Sequence, residues 1–140
     1  MKNSILSITT MFLLLFGTYQ LQAQDFNSKK NNYVVLSKNI KQLKPVLLTA
    51  TELAKEDGEK YGEFHVIICG KTVNDIANNS DFTLLLDKAK KQNLKVFVCG
   101  ISLSSFNINP KTLPNNLEIT PNGILYGFQL VKQGFMTLTI

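Results

Sequence analysis

The sequence predicts an α/β protein, a three-layer α/β/α sandwich around a mainly parallel sheet of about five strands. Three observations predict it. Short apolar strand-like runs alternate with amphipathic helical windows along the chain. The inner runs, 64–69 and 95–99, are almost continuously apolar rather than alternating, which marks strands covered on both faces. No internal repeat or second domain interrupts the alternation, and about 110 residues suit one core.

The order of elements begins with an address rather than with the fold. Lys2 precedes an apolar stretch from Ile5 to Phe16, densest at 11–16, and a tail of small and polar residues ends at Ala23. This charged, apolar, small-residue order reads as a signal peptide over 1–23, with export to the periplasm or the outside. The run is too short for a membrane span, so none is expected after cleavage. Residues 24–31 are polar and read as a flexible lead, and the domain proper covers 32–140.

Tyr33 to Leu36 reads as the first strand. The spacing of Ile40, Leu43, Leu47, Ala50, Leu53 and Ala54 predicts a helix, beginning near Lys44 because of Pro45 and stopped by Gly58. A second strand covers 64–69, ended by Gly70, and a turn or partial helix covers 72–77. Asn78, Asn79, Ser80 and Asp81 form a cap signal for a helix over 81–92, closed by Asn93. A third strand covers 95–99, again ended by a glycine. One or two helical turns follow at 101–106, then a loop with Pro110 and Pro114. A short strand at 117–120, a helix from about 124 to 133 and a last strand at 135–140 complete the domain.

Charge narrows the function classes. All 15 basic residues are lysine and none is arginine, in a chain of net charge +5. Arginine is the residue that grips phosphates and guanine edges bidentately, so specific nucleic-acid recognition is not expected. The lone His65 and the two cysteines lack the spacing of a zinc site: His65 and Cys69 stand about 13 Å apart along one strand. Neither a metal nor a cofactor is expected. Gly70-Lys71-Thr72 resembles the tail of a phosphate loop, but His65 occupies the first glycine's place. The acids Glu52, Glu56, Glu59 and Glu63 interleave with lysines as a solvated face.

The cysteines are the candidates for chemistry. Ligands of open α/β sheets collect beyond the carboxyl ends of the strands, and Cys69-Gly70 and Cys99-Gly100 both fall there. Cys99 precedes a helical segment, whose N-terminus favours a thiolate. A free cysteine also serves as a small core hydrophobe. Cys69 either pairs with Cys99, acts as its resolving thiol or packs; pairing requires Cα atoms within about 7 Å, and so depends on strand order.

The segment 94–103, with Ile108, Leu113, Asn122-Gly123-Ile124, 130–135 and 136–140, resembles the DsrE/DsrF-like family of sulfur-relay proteins; Phe64 to Gly70 and Lys71-Thr72-Val73 add to the match. The resemblance covers about 32–140. It implies a parallel three-layer fold, a homo-oligomer, and a persulfide carried on Cys99 between donor and acceptor proteins. Gly100, Ile101, Lys71 and Cys69 are the expected binding neighbours, with Lys71 and the Gly100 and Ile101 amides stabilising the anion. After Cys99 the chain departs from the carriers: Ser104-Ser105-Phe106-Asn107 stands where they have an Arg-Gly pair. Two other classes stay open. One is a non-catalytic oligomeric module with structural cysteines that binds a ligand or partner. The other is a thiol–disulfide redox role for Cys69 and Cys99 together.

Overall fold

The computed structural model describes residues 30–140; the expected signal peptide and nearly all of the expected lead lie outside them. The first strand, β1 (Asn31–Ser37), begins two residues before the expected Tyr33. Its asparagines are anchored by side-chain bonds: Asn31 Nδ2 donates to Asp57 at 2.8 Å and Asn32 Oδ1 accepts from the Glu63 amide at 2.8 Å. Polarity made these residues look like a tether, whereas their amides serve as cross-links.

A 3-10 turn (Ile40–Gln42) leads into α1 (Leu43–Asp57). Pro45 sits in its first turn, where the missing N–H costs no helical bond. β2 (Tyr61–Ile68) starts three residues earlier than its apolar run. A 3-10 turn (Lys71–Asp75) leads towards α2 (Ser80–Lys91), whose cap Asn79 accepts from the Phe82 amide at 2.9 Å, a bond of about 1 kcal/mol. Asn93 closes this segment at φ 58, a left-handed stop that asparagine tolerates. β3 (Leu94–Cys99), α3 (Gly100–Ser105) and the three-residue β4 (Glu118–Thr120) follow, then α4 (Gly123–Lys132) and β5 (Met136–Thr139).

All five strands are parallel, in the order β4-β3-β2-β1-β5. Helices lie on both faces, as a three-layer α/β/α fold requires. One face packs α1, α2 and Leu103 of α3 onto Val35, Val66, Val96 and Val98. Phe82 and Leu86 of α2 are almost wholly buried there, each worth about 1.5–3 kcal/mol of transfer free energy. Among the described residues the other face carries α4 alone, with a smaller core of Val34, Ile67, Cys69, Phe97, Cys99, Leu130 and Phe135. The link from β4 to β5 runs from one edge of the sheet to the other, which carries α4 across β3, β2 and β1. Among the described residues, one ten-residue helix leaves much of this side uncovered, and all of β5 is exposed.

Candidate functional site

The site is built where β2 and β3 end together. Ile68 and Val98 are register partners in these adjacent parallel strands, so the next positions, Cys69 and Cys99, stand opposite each other. Adjacent strands lie about 4.8 Å apart, which places the two Cα atoms within disulfide range. Both thiols are free and turn to the α4 face with Ile67 and Phe97. Cys69 is 7% exposed and Cys99 4%.

Gly123, the first residue of α4, is the lid of this pair. A Cβ there would lie 2.7 Å from Cys69 Sγ, 2.9 Å from Ile67 Cγ2 and 3.0 Å from Cys99 Cβ. Only a glycine allows the helix start to come so close. Asn122 fixes that start by accepting from the Ile124 and Leu125 amides, both at 3.1 Å. The Gly123 N–H points at Cys99 Sγ, 3.3 Å away.

The two sulfurs have opposite electrostatics. Burial pushes Cys99 up, but donors outweigh it: the Gly123 and Ser102 amides, the Ser102 hydroxyl and the Cys69 S–H hold its thiol below the ordinary value. Ser102 is itself oriented, because its Oγ accepts from the Gly70 amide at 2.8 Å. Cys69 lacks such donors. Burial, then the neighbouring Cys99 to which it donates, push it up to about 12. Cys99 is therefore the better thiolate and Cys69 its proton-bearing neighbour.

The other expected site residues are placed differently from the expectation. Gly100 packs against the Thr120 and Pro121 carbonyls, where a Cβ would meet oxygens at 3.2 and 3.0 Å. The Ile101 amide is spent on the Pro121 carbonyl at 3.2 Å, so it does not serve the sulfur, and its side chain is exposed. The donors are instead Ser102, one position further on, and Gly123, 24 residues away. Lys71 is exposed at the start of its 3-10 turn; the ammonium whose field reaches Cys69 is that of Lys38, beyond β1. Gly70 adopts φ 79, a backbone that other residues rarely take, and so turns the chain immediately after Cys69. Of these residues, Ser102 had a sequence signal: the Cys-x-x-Ser spacing puts a hydroxyl at the third helical position after Cys99.

His65 sits in the middle of β2, four residues before Cys69. It is buried among Phe97, Phe135 and Tyr126, with ring centroids 5.3, 5.1 and 6.0 Å away. Both ring nitrogens are engaged, Nε2 with Glu63 Oε2 at 2.7 Å and Nδ1 with the Tyr126 hydroxyl at 3.1 Å. Lys95 Nζ completes the chain on Glu63 at 2.9 Å. Desolvation holds His65 below its ordinary value despite Glu63. Among the described residues no three His, Cys, Asp or Glu side chains are grouped to hold a metal, and no helix is long and apolar enough to cross a membrane.

Comparison with known proteins locates the fold. No family model matches the chain, and no curated protein matches it. Solved structures do. MTH1491 from Methanobacterium thermoautotrophicum, a protein of unknown function, superposes with a TM-score of 0.65 at 10% identity, covering 80% of this chain and 99% of its own. The chain shares their fold. BT1422 from Bacteroides thetaiotaomicron, a conserved protein of unknown function, gives 0.61 at 17% identity over 79% of this chain and 95% of that one. The ychN protein from E. coli gives 0.60 at 15% identity, over 79% and 99%.

Proposed function

We propose that this chain is an exported sulfane-sulfur carrier, or sulfurtransferase, that holds a persulfide on Cys99. The observation that carries the reading is the set of donors converging on Cys99 Sγ from Gly123 and Ser102, beside a second thiol. The DsrE-like residues around Cys99 support it. The Cys99 thiolate attacks the terminal sulfur of a donor persulfide, the donor S–S bond breaks, and the donor leaves as a thiolate. An acceptor thiolate then removes the outer sulfur from Cys99 in the same manner. At 4% exposure, Cys99 reaches either partner only when residues 121–124 lift from it.

Self-association belongs to the same reading. Ile124 and Phe128 of α4 are 59% and 64% exposed, and a groove of about 210 Å³ beside them is lined by Val34, Leu36 and Val131. A second copy of this chain seated on that face completes the thin layer and lies next to the thiols.

The test is to load the reduced protein with inorganic polysulfide and weigh it intact. The comparison is made in the Cys69→Ser background, where no neighbouring thiol can discharge the sulfur: that chain gains sulfur on Cys99, and adding Cys99→Ser abolishes the gain; equal uptake by the two ends the carrier reading. Burial of both cysteines favours a second reading, a non-catalytic oligomeric binding module with structural cysteines. Thiol titration of the native protein separates the two. Small reagents modify Cys99 quickly if it is a carrier, and both thiols stay silent until unfolding if they are structural.

A further inference from the structure

The carrier reading leaves Cys69 without a task, although it is the group nearest to the reactive sulfur. Three observations bear on it. Cys69 and Cys99 occupy opposed positions on neighbouring strands, about 4.8 Å apart at Cα. Their side chains share one face and pack in the same buried cluster. Gly123 closes over both, within 2.7 Å of one sulfur and 3.0 Å of the other residue's Cβ when a methyl is placed on it. A sulfur atom added to Cys99 is thus held under a lid, with a second thiol inside it and any acceptor outside.

We propose that Cys69 is a resolving thiol that discharges the Cys99 persulfide as sulfide and leaves a Cys69–Cys99 disulfide. The proposal rests on the persulfide reading above. In the step, the Cys69 sulfur attacks Cys99 Sγ, the Sγ–S bond to the outer sulfur breaks, and that sulfur leaves with the proton of Cys69 as HS⁻. Cys69 sulfur is oxidised and the outer sulfur is reduced; one S–S bond forms as one breaks, and the single negative charge moves from the persulfide to the sulfide. A dithiol reductant then exchanges with the disulfide, becomes a disulfide itself and restores both cysteines. Over one cycle a persulfide and a dithiol give a thiol, sulfide and the oxidised dithiol. The chain then acts as a sulfane-sulfur reductase and not only as a carrier. Proximity drives the choice, since an enclosed neighbour reacts at an effective concentration that no dissolved acceptor reaches.

The experiment uses the full chain without its leader, reduced, freed of reductant and loaded with inorganic polysulfide under argon. Released sulfide is trapped with time, and the protein is alkylated, weighed and peptide-mapped. Wild type releases about one sulfide per chain and becomes two hydrogens lighter, with the Cys69 and Cys99 peptides linked. Cys69→Ser keeps the extra sulfur on Cys99 and releases sulfide at least about tenfold more slowly. Cys69→Ala serves in its place if the serine variant melts lower than wild type. Dithiothreitol returns oxidised wild type to a second round of release. If wild type and the Cys69 variants keep their sulfur equally long, or no linked peptide forms, the resolving role is overturned and the carrier reading survives. If no variant takes sulfur on Cys99, both fall.

Discussion

At the scale of single residues, the site depends on one missing side chain and one hydroxyl. Gly123→Ala adds a methyl where Cys69 Sγ, Ile67 and Cys99 leave less than 3.1 Å. The alanine gains helix propensity, yet overpacking outweighs it, and chemical denaturation is expected to show a loss of about 1–3 kcal/mol. Ser102→Ala removes the oriented hydroxyl from Cys99 and leaves the Gly70 amide without its acceptor. Stability falls by about 1–3 kcal/mol for the orphaned amide. The discriminating readout is the pH profile of alkylation by iodoacetamide, whose midpoint for Cys99 moves up; an unmoved midpoint excludes Ser102 as a stabiliser of the thiolate. Cys99 and Cys69 were legible because they end apolar strands before glycines. The roles of Gly123 and Lys38 were not, because their contacts exist only once distant elements are packed, and local spacing carries no trace of them.

At the scale of elements, the helices and inner strands were legible because burial on a periodic face writes itself into composition. The ends were less so. β1 begins with two asparagines that look like tether, and β2 with Tyr61, Gly62 and Glu63, because their pairing is supplied by side-chain amides and neighbouring strands rather than by apolar content. The last strand was found, but its complete exposure was not, since strand order decides who stands at an edge. The single helix α4 carries the consequence. Phe128→Lys puts a charge on its outward face without entering the core. If this face meets a second copy, light scattering coupled to size exclusion shows the variant dropping to a smaller species while its circular dichroism matches wild type. An unchanged mass removes this face from any interface.

At the scale of the whole molecule, the two ends of the sheet are tuned differently. The carboxyl end holds the thiols, and the amino end holds the chain Lys95–Glu63–His65–Tyr126 that ties β3, β2 and α4 together. His65 is kept neutral by desolvation, so its folded value lies below 6.5. A depressed histidine contributes stability that is complete above 6.5 and is lost as pH falls below it, because the unfolded chain takes the proton first. Glu63, Lys95 and Glu118 also act on the ring, and the depression of Glu63 carries its own loss to lower pH, below 4.5. The melting temperature is therefore expected to fall between about pH 7 and about pH 5, and His65→Gln to flatten that window. A wild-type melting temperature that is flat there contradicts a buried neutral imidazole.

The crossing from β4 to β5 also sets a sequence of events in time. A chain grows from its amino end, so β1 to β4, with both cysteines, exist before α4 does. Neighbouring strands bring the thiols together, and only the segment after β4, residues 121–140, is laid across them. In any state of the chain in which that last segment is not seated, Cys69 and Cys99 are open to oxidant and sulfur donor alike.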